Sequence, residues 1–131
     1  MVIVDTTVWI DYLNGVNTPQ TKWLETTFET ERIGLTDISL CEILQGMRTE
    51  VQAAKVLREL LHFEIFPVGG LELAIAAAQN YRNLRARGHT VRKTIDCLLA
   101  TFCLLNNHAL LHADRDFEPF ERWLKLRVIH T

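Results

Sequence analysis

Five carboxylates stand in this sequence where a carboxylate is costly. Asp5 ends the β-branched run Val2-Ile3-Val4, the kind of segment a buried strand uses. Glu42 lies in "SLCEILQG", a helical stretch that is apolar over most of its surface, and Asp96 lies near the start of "TIDCLLATFCLLNN", which is apolar almost all round. Asp114 and Asp116 follow a short apolar run in "LLHADRDF". Singly, each has an ordinary explanation: a strand end, a solvated helix face, a first-turn acid complementing the helix dipole for roughly 0.3–1 kcal/mol, a polar turn. Acids drawn into one crevice have none, because they repel one another unless protons or a cation offset the charge. Hard oxygen donors without nearby Cys or His select magnesium or manganese rather than zinc. "HALLH" is no zinc pair either, since two histidines four apart on an extended segment stand roughly 13 Å from each other. His108 therefore reads as a loop residue, whereas strand alternation turns His112 to the side of Asp114.

The elements around these acids alternate. "VIV" predicts a strand, and Thr6 or Thr7 can cap the helix "VWIDYLN" that Gly15 stops. Thr18-Pro19 starts a second helix to about Phe28, "RIGLT" is a second strand, and "DISLCEILQGMR" a helix in which Gly46 implies close approach of a neighbour. "TEVQAAKVLRELL" is helical, "FEIFPV" a third strand, and "LELAIAAAQNYRNLRAR" a long helix closed by Gly88. Thr94 can cap the apolar helix, "ALLHA" is a fourth strand, "DFEPFERWLK" holds a short helix, and "LRVIH" a last strand. Connections this long between strands give a mainly parallel sheet with helices on both faces. Ligands of such sheets bind at the carboxyl ends of the strands, which is where Asp5, Asp114 and Asp116 fall. Asp96 should join that edge from its helix.

At 131 residues the chain suits one domain spanning 1–131. A net charge of -2, from 14 Lys plus Arg against 16 Asp plus Glu, argues against coating nucleic acid by bulk positive charge. Any nucleic-acid contact must be local. Five of those 14 bases lie between Arg82 and Lys93, and Arg92 and Lys93 are placed to hold phosphates beside Asp96. Cys41, Cys97 and Cys103 sit in apolar helical patterns without C-x-x-C spacing and read as reduced core cysteines of a cytoplasmic protein. No leader pattern or membrane-length apolar run is expected from the sequence.

"IVDTTVWIDYL", "EILQG", "TIDCLLA" and "LLHADRDF", in this order over nearly the whole chain, resemble the PIN-domain ribonucleases, and among them the VapC-type toxins of prokaryotic toxin–antitoxin modules. The resemblance implies a three-layer α/β/α PIN-like domain with a catalytic acid set at Asp5, Glu42, Asp96 and Asp114. It implies Asp116 as a helper to Asp5, Asp96 and Asp114 at the metal, and Thr6 as a hydroxyl nearby. It also implies Mg2+- or Mn2+-dependent endonucleolytic cleavage of RNA, a cognate VapB-type antitoxin and a homodimer. Many relatives carry Ser or Thr where this chain has His112. A response-regulator receiver would need a phosphoacceptor Asp after strand three, where "FEIFPVGG" has none, and a haloacid-dehalogenase-type phosphatase would need Asp-x-Asp where "DTT" stands. The remaining alternative is a PIN-fold binding module without turnover.

Overall fold

A computed structural model describes all 131 residues. In chain order the elements are β1 (Val2–Val4), α1 (Thr6–Leu13), α2 (Pro19–Thr27), β2 (Ile33–Thr36), α3 (Asp37–Gln45), α4 (Glu50–Leu60), β3 (Glu64–Phe66), α5 (Leu71–Ala86), α6 (Thr94–Asn106), β4 (Ala109–Leu111) and α7 (Glu118–Leu124). A single 3-10 turn, Arg115–Phe117, leads into α7. The four strands form one parallel sheet in the order β3-β2-β1-β4. The chain thus builds outward from β1 to β3 and then returns to the other side of β1 with β4. That reversal puts the topological switch point between β1 and β4, where parallel sheets open a crevice at the strand ends.

Alternation along the strands sends side chains to two separate cores. Ile3 and Leu110 pack with α5, α6 and α7 through Leu84, Leu99, Phe117 and Phe120. Val2, Val4, Ala109 and Leu111 pack on the opposite face with α1 to α4, around Trp9, Leu24, Ile43 and Leu60. The sheet is therefore the middle of three layers. Trp9 anchors the second core through Phe63, with ring centroids 4.9 Å apart, and Phe28 and Tyr12 extend the aromatic cluster. No helix is long and apolar enough to cross a membrane.

Several local expectations change. Asp5, not Thr6 or Thr7, is the N-cap of α1, and Lys93, not Thr94, is that of α6; neither cap makes a side-chain hydrogen bond to the helix. All three threonines belong to the first helical turn because Asp5 and Lys93 already hold the extended backbone that precedes a helix. Gly46 is the C-cap of α3 rather than a mid-helix contact point, and a Cβ there would meet only the Ile43 carbonyl at 3.4 Å. The glycine that permits close approach is Gly34 in β2, where a Cβ would lie 2.9 Å from the Glu64 carbonyl oxygen. "LRVIH" forms one bridge, Leu110 to Val128, instead of a strand. Cys97 and Cys103 are buried as expected, but Cys41 is exposed, because α3 turns it away from the side that buries Ser39 and Ile43.

Candidate active site

The crevice at the switch point has a volume of about 580 Å³, and Asp5, Glu42, Asp96 and Asp114 all line it. Four separate segments supply them. Asp5 arrives at the carboxyl end of β1 and is buried, its backbone N–H donating to the Leu111 carbonyl of β4 at 3.0 Å. That bond keeps β1 and β4 paired up to the residue at which they part. Glu42 comes from the middle of α3. Asp96 comes from the first turn of α6, and Asp114 from the loop after β4.

Glu42 is held rather than loose. The Thr6 hydroxyl donates to its Oε1 at 2.8 Å and lies 2.9 Å from the Ser39 hydroxyl. Ser39 in turn sits 3.2 Å from Thr36 Oγ1, which caps α3 by accepting from the Ser39 backbone N–H. Thr36 and Ser39 were missed in the sequence, although Ser39 stands three residues before Glu42 and so shares its helix face.

On the other side, a chain of local bonds shapes the Asp114 turn. His112 Nδ1 accepts from the Asp114 backbone N–H at 3.1 Å, so the neutral ring carries its proton on Nε2. The ring packs on Phe117 with centroids 4.8 Å apart, and burial holds the His112 pKa below its usual value. Asp114 Oδ1 then accepts from the Asp116 backbone N–H at 2.9 Å. These two bonds bring Asp116 beside the site: one carboxylate oxygen each from Asp96, Asp114 and Asp116 lies within 4.8 Å of the others. Arg92 grips Asp116 through its guanidinium at 2.9 and 3.0 Å, an exposed cation on a largely buried carboxylate, and the pairing raises the Arg92 pKa. Lys93 lines the crevice and Arg92 does not, so Arg92 reaches the acids only through Asp116.

The electrostatics of the crevice are those of excess negative charge. Burial, then the nearby Asp96, and further Glu42 and Asp114 push Asp5 up to about 7, against the stabilising N–H of Thr6. Burial, then Asp114, Asp116 and Glu42 raise Asp96 to about 6, although Lys93 pulls the other way. Asp96 Oδ2 is buried with no hydrogen-bond partner. A carboxylate with an orphaned oxygen, clustered with two other carboxylates, is a donor set suited to a divalent cation. The residues present therefore fit such an ion. His108 stands apart, packed between Phe66 and Phe102 at 5.5 and 5.6 Å, with no part in the crevice.

The chain is similar over its length to proteins of known family and fold. The chain is 28% identical over 133 residues to the VapC ribonuclease Mb1587 of Mycobacterium bovis, covering 98% of this chain and 97% of that protein. The ribonuclease VapC11 of Mycobacterium tuberculosis matches to the same extent. In fold it is similar to VapBC2 from Rickettsia felis, solved bound to a promoter DNA fragment, with a TM-score of 0.78 at 19% identity over 98% of each chain. FitAcB from Neisseria gonorrhoeae gives 0.76 at 18% identity, over 99% of this chain and 97% of that one. The profile of the PIN domain matches residues 2–122, which takes in every acid of the crevice, and the chain belongs to the PIN domain family.

Proposed function

We propose that this chain is the toxin of a type II toxin–antitoxin pair and hydrolyses RNA phosphodiester bonds as a metal-dependent endoribonuclease. The observation that carries the reading is the convergence of Asp5, Glu42, Asp96 and Asp114 from four segments on one crevice, with the buried Asp96 Oδ2 unpartnered. Family membership and the ribonuclease names of the curated relatives support it.

Asp5, Asp96 and Asp114, helped by Asp116, would hold Mg2+ or Mn2+. Bound there, the ion would supply an activated water and offset charge on the phosphodiester and its leaving oxygen. The protein's own part is positional. Thr6 and Ser39 orient Glu42, whose free carboxylate oxygen can hold a water or take its proton at the crevice wall. His112 sets the Asp114 amide, and Lys93 at the rim offers a cation to a phosphate entering from α6. A cytoplasmic location suits both the RNA substrate and three unpaired thiols.

The partner we assign is a VapB-type antitoxin, supported by the likeness to VapBC assemblies. A homodimer is the second assembly, with the exposed Leu71 and Ile75, one turn apart on α5, as its apolar surface. Expression of the wild type alone should arrest growth, and a small protein encoded beside it should relieve the arrest and co-purify. A harmless wild type that binds no neighbouring product would favour the inert binding module.

A further inference from the structure

More than half of the 14 Lys and Arg residues lie on the end of α5, the following loop, the 3-10 turn and α7 with its cap. Trp123 of α7 is their centre. It is 38% exposed, with the guanidinium carbons of Arg87 and Arg122 at 4.8 and 4.9 Å from its ring centroid. Its indole Nε1 donates to His89 Nε2 at 3.2 Å, which ties α7 to the loop before α6. Arg87, Arg115 and Arg122 are all exposed, and none has a carboxylate within ion-pair distance. Arg87 Nε donates to Asn83 Oδ1 at 3.0 Å, but core packing needs neither guanidinium groups without a carboxylate nor an exposed indole.

Two hollows connect this cluster with the acids. One of about 210 Å³ is walled by His89, Arg115 and Pro119 together with Asp116. The next, of about 510 Å³, shares the first three of those walls and continues to Arg122. Asp116 belongs to the carboxylate cluster, so the hollows run from beside the crevice to Arg122, whose guanidinium lies against the Trp123 ring. We propose that this strip is the path of single-stranded RNA flanking the cleaved bond, with phosphates on Arg115, Arg122 and Arg87 and a base stacked on the Trp123 and guanidinium platform.

The occupant follows from the chemistry. Arginines spaced along a groove neutralise a phosphate backbone, and indole and guanidinium planes stack on any base. Glu118 and Glu121 also line the larger hollow, and Glu121 is engaged by His130 at 2.6 Å. Such interspersed acids disfavour a continuous acidic peptide, while neutral base faces can pass them. A local strip of this kind also reconciles RNA binding with a net charge of -2. The direction of the strand, toward the bond that is cut, rests on the proposed ribonuclease site.

The test is binding of a fluorescent single-stranded oligoribonucleotide in chelator, so that affinity is read without turnover. Trp123→Ala should weaken binding about tenfold, and Trp123→Phe should restore most of it, as a stacking platform requires. Arg87→Gln combined with Arg122→Gln should lower the slope of log affinity against log salt by about 0.7 for each phosphate that the variant no longer neutralises. All these variants should keep the melting shift that manganese gives the wild type. Wild-type affinity and salt slope in both Trp123→Ala and the double arginine variant would overturn the proposal. So would displacement by polyglutamate as effective as that by unlabelled RNA. A wild type that never cleaves RNA, yet loses RNA with Trp123→Ala, would keep the strip and refute the ribonuclease reading.

Discussion

Asp5 and Asp96 are the crevice residues whose chemistry is most altered by their place. Both carboxyls ionise less readily in the folded chain, at about 7 and about 6 against an ordinary 3.8. Below the ordinary value both states are protonated and the two acids contribute no bias. As pH rises the unfolded chain ionises first, so in chelator they cost the fold increasing stability from about pH 4 to about pH 7 and a constant amount above. Asp114→Asn removes a like charge from both while its Oδ1 can still accept from the Asp116 N–H. Melting curves in chelator should therefore show this variant equal to or above the wild type, by more near pH 7 than near pH 5. Manganese at a hundred times its Kd should stabilise the wild type by roughly 2.7 kcal/mol, a shift of several degrees that Asp114→Asn should lose. His112 belongs to the same scale. His112→Phe keeps the ring on Phe117 but removes the acceptor for the Asp114 N–H, and should weaken manganese binding by roughly 10- to 100-fold. His112→Thr, whose hydroxyl can accept the amide two residues on, should recover most of it in the same titration. The acids were legible because each interrupts an apolar segment. The Thr6, Ser39 and Glu42 contacts were not, because they join α1 to α3 across more than thirty residues, and spacing within one helix cannot show which other helix it meets.

At the scale of elements, apolar periodicity and short β-branched or aliphatic runs located every helix and the four paired strands, three of which are buried on both faces. Boundaries were less legible where two residue types could serve the same end. Asp5 and Thr6, and likewise Lys93 and Thr94, are adjacent candidates for a cap, and tertiary placement of the acids decides between them. The glycines show the same limit, since the sequence marks their freedom and not their neighbours. Gly34→Ala would press a Cβ against the Glu64 backbone and the Phe66 ring between β2 and β3, and should cost about 1–3 kcal/mol. Gly46→Ala, in ordinary right-handed geometry with only one contact at 3.4 Å, should be neutral or stabilising by roughly 0.4–1 kcal/mol. Chemical unfolding of the two variants distinguishes them; equal losses would mean that α3 continues through Gly46 into a packed interface.

The molecule as a whole separates two jobs across one sheet. The two cores hold β1 and β4 together as far as Asp5, and the strand ends then open onto acids that a core could not tolerate alone. Beside them, the edge made by α5, the loop before α6 and α7 carries the unpaired arginines. The near-neutral total charge hides this division, because composition counts charges without placing them. Fold class was readable from alternation of elements, while the meeting of α7 with the end of α5 was not, for no local pattern encodes that contact. The proposed function places metal-dependent RNA cleavage at the acidic crevice. Its most direct test is incubation of purified protein with structured RNA, with magnesium or manganese and with chelator, for wild type and Asp96→Asn. Wild type with metal should yield discrete internal cleavage products, whereas chelator or Asp96→Asn should abolish them. Cleavage that persists both in chelator and in Asp96→Asn would contradict the assignment.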